Sequence, residues 1–280
     1  SRLPGKVLKD LQGRTVLERV VTAAAHISHI DKVIVATSVL PQDDDIEKWC
    51  NDNDIECSRG SEDNVLERFY EAATKAGCSE TDTIMRLTAD CPLLDPLVCG
   101  QVLDLLHRTG KDYANNIGQE RLWPDGTDCE AFTFGALEKS YENADNQLHK
   151  EHVTLYIRQN PEQFEIITLA CPMADIGKYR WTLDTPQDWE HLTHLLQEVQ
   201  PKCGDKKYFS YKDFLDIEKY NDTSQLGAVN GLSKSEESLS HALQVIPDGT
   251  QTFSKSYKNH CHGVSPYFLD RGQGAYIWDI

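Results

Sequence analysis

Apolar positions follow two different periods along the first 120 residues of the chain. Residues 15–29 carry apolar side chains at helical spacing, and residues 32–37 then form a β-branched run typical of a parallel strand. Predicted helices and predicted strands alternate in this way up to residue 120, which predicts an α/β fold on a mainly parallel sheet. The predicted strands are residues 32–37, 55–57, 84–87, 112–116, 164–170 and 179–184, and the predicted helices include residues 15–29, 65–73 and 151–158, with others beginning near residues 46, 96 and 186.

Two of the predicted strands end on an aspartate. The apolar run at residues 84–87 leads to Asp90, and two following prolines prevent the strand from continuing. Residues 179–184 end on Asp184, and Pro186 then begins a helix. Open α/β sheets bind ligands at the carboxyl ends of their strands, and Mg²⁺ takes one or two carboxylates. The two residues are therefore candidate magnesium ligands, although each would equally suit a turn or a helix cap.

Three consecutive acids, Asp43, Asp44 and Asp45, raise the question of a second metal site. They directly precede an amphipathic segment containing Ile46 and Trp49. Acidic side chains are favoured in the first turn of a helix, so we interpret the three acids as a helix start.

Two basic or polar loops are candidate nucleotide contacts. Arg2 and Lys6 lie on a Pro-Gly loop before the first helix, where they could clamp a triphosphate or simply form an exposed basic terminus. Arg59, Gly60 and Ser61 follow a predicted strand, where they could contact a base or a phosphate or form an ordinary β–α turn. Ser61 or Asp63 is the predicted cap of the next helix.

Further polar candidates lie in the second half of the chain. Asp125 and Asp128 surround a turn that leads into a strand-like segment. On the predicted helix at 151–158, the side chains of His152, Tyr156 and Gln159 share one stripe. A single histidine on an amphipathic helix is usually structural, so His152 is a weak candidate when taken alone.

Charge and cysteine content narrow the function. A net charge of −17 argues against a nucleic-acid partner, whose phosphates would be repelled. No apolar run approaches the ~20 residues of a membrane span. The nine cysteines form an odd set without a C-x-x-C pair, which suits neither a disulfide framework nor a zinc site and favours a reducing cytoplasm.

The two ends of the sequence carry separate expectations. A doubly wound domain usually begins with a strand that leads into its phosphate-binding loop, and the sequence opens after that point, so we expect an amino-terminal truncation. Residues 221–240 are rich in Asn, Ser, Gly and Glu and predict a linker. Residues 241–280 regain apolar character and end on a strand-like segment for which the sequence suggests no partner.

Six ordered blocks lie along roughly residues 1–215, namely residues 2–6, 59–63, 87–92, 124–126, 151–153 and 183–186. Together they resemble the cytidylyltransferases of spore-coat polysaccharide synthesis, relatives of the acylneuraminate and 3-deoxy-manno-octulosonate cytidylyltransferases. The resemblance implies a three-layer α/β/α nucleotide-diphospho-sugar transferase fold. It also implies attack of a sugar or sugar-acid hydroxyl on the α-phosphorus of CTP, with loss of pyrophosphate, and makes a homodimer reasonable.

The resemblance also assigns roles to individual residues. Asp90 and Asp184 would hold Mg²⁺, and Arg2 and Lys6 would hold the triphosphate. The Arg59–Ser61 loop would lie near the base, while the sugar side would be lined by Asp125, Asp128, His152 and Arg180. Because the family's first strand and Gly-rich loop precede Ser1, we expect this chain to be weakened or inactive. No residue is nominated as a general base.

The tail has a resemblance of its own. Residues 246–252 and 271–279 look like the beginning of glutamate-1-semialdehyde-type aminotransferases, whose pyridoxal-phosphate-binding part is not included. The expected organisation is therefore a cytidylyltransferase-like domain (1–220), a linker (221–240) and an aminotransferase fragment (241–280).

Two other functions stay open at this point. One is a nucleotidyltransferase of the same fold that uses UTP or GTP with a sugar phosphate, and the other is a non-catalytic module fused to the aminotransferase.

Overall fold

The computed structural model describes residues 3–118, 120–204, 206–227, 269–273 and 276–279. Contacts divide the chain into two compact units, Ser1–Asp213 and Phe214–Ile280. The described helices are α1 (Val16–Ala24), α2 (Asp44–Asp52), α3 (Val65–Lys75), α4 (Pro96–Thr109), α5 (Phe134–Asn143), α6 (Gln147–Glu151), α7 (Leu155–Gln159), α8 (Pro186–Cys203) and α9 (Tyr211–Gly227). The described strands are β1 (Ile34–Ser38), β2 (Glu56–Gly60), β3 (Thr83–Arg86), β4 (Tyr113–Asn115), β5 (Glu130–Thr133), β6 (Ile166–Thr168), β7 (Leu269–Gln273) and β8 (Tyr276–Asp279).

The larger unit is an α/β structure, as the apolar pattern predicts, but its strand directions are mixed. β1 pairs in parallel with β2, and a second sheet has the order β3-β5-β4-β6. β4 and β6 are parallel, whereas β5 is antiparallel to both of its neighbours. The described residues between Asn115 and Glu130 contain no helix that would carry the chain back for a parallel crossover. The chain therefore returns in the opposite direction.

Helices cover both faces of the second sheet. Successive residues of β5 point to opposite faces, so Ala131 packs in a cluster with residues of α1 and α4, while Phe132 packs in a cluster with residues of α3, α5 and α7. Ala131 and Phe132 are both fully buried. This arrangement is the expected helix–sheet–helix layering.

The helix starts follow local capping chemistry. Asp44, Asp45 and Glu47 lie in the first turn of α2, which confirms the helix-start interpretation of the three consecutive acids. The cap of α3 is Asn64, whose side chain accepts a hydrogen bond from the Glu67 amide. The prediction of Ser61 or Asp63 as this cap was wrong, since the Ser61 hydroxyl instead accepts a bond from the Asn64 amide.

Two predicted elements differ in the structure. Residues 151–158 do not form one helix, because α6 ends at Glu151 and His152 has an extended backbone before α7 begins. The predicted stripe joining His152 to Tyr156 is therefore wrong. Residues 179–184 form no strand, and in the described part of the chain they make one isolated β-bridge, between Arg180 and Asp125. Asp125 lies in an irregular loop and not in a strand.

The carboxyl-terminal expectations change in two respects. α9 continues to Gly227, so the first residues of the predicted linker are helical, and residues 228–240 lie outside the described residues. The final strand-like segment does have a partner, because β8 pairs with β7 as an antiparallel hairpin. Among the described helices, none combines the length and apolar character needed to cross a bilayer.

Candidate functional site

The Lys6 ammonium lies between two carboxylates that are far apart in sequence. Its Nζ donates to Asp184 Oδ1 at 2.9 Å and to Asp90 Oδ2 at 3.2 Å, and also to the Leu183 carbonyl oxygen. The Lys6 side chain is only 15% exposed. Asp90 and Asp184 therefore converge on one point, as expected from their positions after β3 and before α8.

Local backbone structure fixes the position of Lys6. Gly5 has φ 64°, a left-handed conformation that glycine adopts readily, and residues Lys6–Leu8 then form a 3₁₀ turn. The Lys6 amide donates to the Leu3 carbonyl at 3.3 Å. The Pro-Gly sequence thus turns the chain and presents Lys6 from a short, structured loop.

Asp184 is held by the start of α8. The Asp188 carboxylate accepts from the backbone amides of Asp184 and Thr185, both at 2.8 Å, and Thr185 caps the helix through the Asp188 amide. This reciprocal capping box orients the backbone of Asp184. The Leu183 amide also donates to the Asp90 carbonyl at 2.8 Å, which joins the two acidic segments directly.

Arg180 connects Asp184 to the acidic turn at Asp125. Its guanidinium pairs with Asp184 at 2.7 Å and with Asp188 at 3.4 Å, and it also pairs with Asp125. The backbones join too, because the Asp125 amide donates to the Tyr179 carbonyl at 2.9 Å. Arg180 therefore joins two acidic groups of the α8 start, Asp184 and Asp188, to Asp125 of the acidic turn.

A second arginine holds the other acid of this turn. Arg121 binds Asp128 through two hydrogen bonds of 2.9 and 3.1 Å and contacts Asp125 at 3.3 Å. The buried Asn116 side chain anchors the same turn, since it donates to the Thr127 carbonyl and accepts from the Cys129 amide. The turn that carries both predicted sugar-side acids is thus rigidly attached to the end of β4.

The electrostatics of the cluster favour the charged forms of Lys6 and Asp184 but not that of Asp128. Partial burial opposes the Lys6 charge, but hydrogen bonds and charges from Asp184 and Asp90 outweigh it and raise the pKa of Lys6 above its ordinary value. The hydrogen bond from Lys6, together with Arg180, lowers the pKa of Asp184. Burial raises the pKa of Asp128 despite its pairing with Arg121.

The charges in this cluster do not balance. Five carboxylates, those of Asp90, Asp125, Asp128, Asp184 and Asp188, meet the three cations Lys6, Arg121 and Arg180. The described residues contain no group of three or more His, Cys, Asp or Glu side chains arranged to hold a metal. Mg²⁺ needs only one or two carboxylates and completes its coordination with water and phosphate oxygens. The converging pair Asp90 and Asp184 fits that donor set.

The Arg59–Ser61 loop, which is predicted to lie near the nucleotide base, makes contacts within the protein. The Arg59 guanidinium forms ion pairs with Glu47 and Asp44. It also donates to the carbonyl oxygens of Ser38 and Leu40, so its hydrogen-bond donors are used to hold the connection between β1 and α2. Gly60 packs against the side chain of Arg68, where a Cβ would lie 3.0 Å from Cγ.

Two predicted site residues, His152 and Arg2, remain to be placed. In the described part of the chain the exposed His152 side chain forms no hydrogen bond or ion pair, and Arg2 lies outside the described residues. Whether the Arg59–Ser61 loop, His152 and Arg2 touch a substrate stays a prediction.

A buried network next to the site was missed from the sequence. Glu130, only 2% exposed, accepts from Arg86 on β3, from the Tyr113 hydroxyl and from the Thr154 hydroxyl. Arg86 and Glu130 are also direct cross-strand partners. The available signal was one charged residue in each of two short, otherwise uncharged strands, which predicts a buried ion pair. Asp188 was likewise detectable from the Thr-Pro-Gln-Asp capping pattern.

Comparisons with known proteins agree with this architecture. The profile of the cytidylyltransferase family matches residues 1–220. The spore coat polysaccharide biosynthesis protein SpsF of Bacillus subtilis is 30% identical over 223 residues, 78% of this chain and 88% of that protein. The 3-deoxy-manno-octulosonate cytidylyltransferase of Alcanivorax borkumensis is 26% identical over 263 residues, 90% of this chain and 89% of the relative. A solved structure of a cytidylyltransferase from Leptospira borgpetersenii superposes with a TM-score of 0.71 at 30% identity, covering 80% of this chain and 90% of that one.

Proposed function

Because the chain belongs to the cytidylyltransferase family and is thus a nucleotidyltransferase, we propose that it transfers CMP from CTP to a sugar acid in the synthesis of a cell-surface glycan. The observation that carries this proposal is the convergence of Asp90 and Asp184 on Lys6 at the carboxyl end of β3. The names of two relatives, a spore-coat polysaccharide protein and a sugar-acid cytidylyltransferase, support the acceptor class.

In the proposed reaction an acceptor hydroxyl attacks the α-phosphorus of CTP, and pyrophosphate leaves. Nucleotidyl transfer depends mainly on positioning and on neutralising charge, so a strong general base is not required. Lys6 would bind the triphosphate. Arg180 would hold the carboxylates of Asp184 and Asp125 in a fixed relative position. Asp125, Asp128 and Arg180 would line the sugar side, where carboxylate oxygens can accept hydrogen bonds from sugar hydroxyls.

Asp90 and Asp184 would hold Mg²⁺. When bound, the ion supplies positive charge that stabilises the phosphate oxygens during transfer. The excess of carboxylates over cations in the cluster supports this assignment, since one divalent ion would offset it.

The cellular location and the organisation of the chain after residue 220 are proposed from separate observations. The cysteines in the described part of the chain are free thiols, which supports a cytoplasmic location. The family match ends at residue 220, which supports a domain boundary near that residue, while the aminotransferase-like character of residues 241–280 rests on the sequence resemblance alone. Pyridoxal phosphate would belong only to the remainder of such a domain.

The direct test combines turnover and product identity. The protein is incubated with CTP, Mg²⁺ and a mixture of keto-sugar acids, pyrophosphate release is followed, and mass spectrometry identifies the CMP-linked product. Asp90→Asn and Asp184→Asn should each abolish Mg²⁺-dependent release while the protein stays folded. Asp31→Asn is the matched control, because Asp31 is exposed and outside the cluster.

A nucleotide panel separates the proposal from its alternatives. Thermal-shift measurements with CTP, UTP, GTP and ATP, each with Mg²⁺, should show the largest stabilisation with CTP. A larger shift with UTP or GTP would favour the sugar-phosphate alternative, and no shift with any nucleotide would favour a non-catalytic module. Near-normal rates in both aspartate variants would refute the metal assignment.

A further inference from the structure

Lys6 lies where a metal ion bound to Asp90 and Asp184 would have to approach. Both carboxylates direct an oxygen at the same nitrogen, and the Leu183 carbonyl oxygen completes the set. A primary ammonium and a divalent cation seek the same oxygen donors, and at such a short separation they repel each other strongly. The ammonium and the metal therefore compete for this carboxylate pair.

We infer that Lys6 is the resident counter-ion of this pair, so that a divalent metal binds well only after a nucleotide triphosphate has drawn Lys6 away. The inference rests on the proposed function, because it takes the triphosphate as the alternative partner of Lys6. Its consequence is a coupling between metal and nucleotide, in which each ligand favours the binding of the other.

The side chain of Lys6 suits such an exchange. Lysine carries a compact charge on a flexible four-carbon stem, so its ammonium can move between partners while the backbone stays fixed. Arg180 is less suited, because three carboxylates, those of Asp125, Asp184 and Asp188, surround its planar guanidinium. When Lys6 leaves, Arg180 still orients Asp184 for the incoming metal.

Binding of Mn²⁺ without nucleotide tests the inference directly, with free Mn²⁺ measured by electron paramagnetic resonance. Lys6→Met should bind Mn²⁺ more tightly than the wild type, within the range of about 5- to 150-fold that is usual for coupled sites. Lys6→Arg keeps the charge and should stay near the wild type. Lys9→Met is the matched control, because Lys9 is an exposed cation close by in the same segment. Adding Asp184→Asn to Lys6→Met should remove the gain.

A second measurement excludes general damage to the fold. Lys6→Met should bind Mg²⁺–CTP more weakly than the wild type, because the triphosphate loses a cation, although the same variant binds Mn²⁺ alone more tightly. Structural damage would weaken both. If Lys6→Met does not fold, Lys6→Gln replaces it, since its amide can still donate to the carboxylates.

The outcomes separate the inference from the proposed function. If the wild type binds Mg²⁺–CTP but removal of the Lys6 charge does not tighten Mn²⁺ binding, the inference fails and the proposed function stands. If the wild type binds neither Mn²⁺ nor Mg²⁺–CTP, the proposed function fails and the inference fails with it.

Discussion

Gly126, in the acidic turn, packs closely against the backbone of the segment that carries Arg180. Its φ is +103°, and a Cβ at this position would lie 2.6 Å from the Trp181 carbonyl carbon. The close approach lets the Asp125 backbone pair with Tyr179 and Trp181. Any larger residue at 126 would push the two segments apart and separate Asp125 from Arg180.

We therefore expect Gly126→Ala to lower both stability and CMP transfer. The backbone cost alone is about 1–2 kcal/mol, and the clash adds to it. Gly77→Ala is the control, because Gly77 has φ +84° with open space around its Cα and should show the backbone cost only. Urea unfolding and pyrophosphate release measure the two effects. Equal losses in both variants would contradict the steric argument.

Glu130 provides a test by pH. Burial alone would raise its pKa, but the charge of Arg86 and the hydrogen bonds from Thr154, Tyr113 and Arg86 outweigh burial and lower it. A carboxyl with a lowered folded-state pKa adds stability above its unfolded pKa of about 4.3, and this stability is lost as the pH falls below that value.

Glu130→Gln should therefore cost about 3 kcal/mol or more at about pH 7, because it breaks a buried ion pair. The difference from the wild type should narrow as the pH falls below about 4. Unfolding by urea at about pH 7, 5 and 3.5 measures this difference, with Glu71→Gln on the exposed side of α3 as control. A difference that stays constant with pH would mean that Glu130 has the same pKa in the folded and unfolded states, which would contradict the lowered folded-state pKa.

At the scale of elements, one carboxylate accepts hydrogen bonds from the starts of two helices. Asp95, 1% exposed, caps α4 through the Leu97 amide at 2.8 Å. Its other oxygen accepts from the Ser210 hydroxyl and from the Tyr211 amide at the start of α9, both at 2.9 Å. Asp95 thereby connects helices that are far apart in the sequence.

Asp95→Ala should destabilise the protein by about 1–4 kcal/mol, since each of the two lost caps costs about 0.5–2 kcal/mol. Ser210→Ala removes one of these bonds and should cost about 1 kcal/mol. Asp104→Ala, on the exposed side of α4, should change little. The free energy of unfolding in urea measures all three. A loss in Asp95→Ala no greater than in Ser210→Ala would mean that the cap of α4 adds nothing.

At the scale of the molecule, every described candidate site residue lies in the unit Ser1–Asp213. The family match also ends at residue 220. We therefore expect a chain that ends after Gly227 to show the same thermal shift with Mg²⁺ and CTP as the full chain. A folded shorter chain without this shift would show that later residues contribute to nucleotide binding.

The local patterns of the sequence determined which elements form and where acids follow them. Helical spacing predicted α1, α3 and α4, a β-branched run predicted β1, and a brief strand was predicted where β2 begins. The positions of Asp90 and Asp184 after apolar runs indicated a shared carboxyl-end site, and the two side chains do converge. These inferences succeed because propensity and periodicity act between residues only a few positions apart.

Only the tertiary structure decided which charges meet. Lys6 pairs with residues 84 and 178 positions away, whereas Arg59, equally basic, pairs with Glu47 in its own α/β unit. The antiparallel direction of β5 and the burial of Glu130 against Arg86 likewise depend on strand order. Charged side chains carry no sequence period that names a partner, so the fold determines each pairing through the distances that it creates.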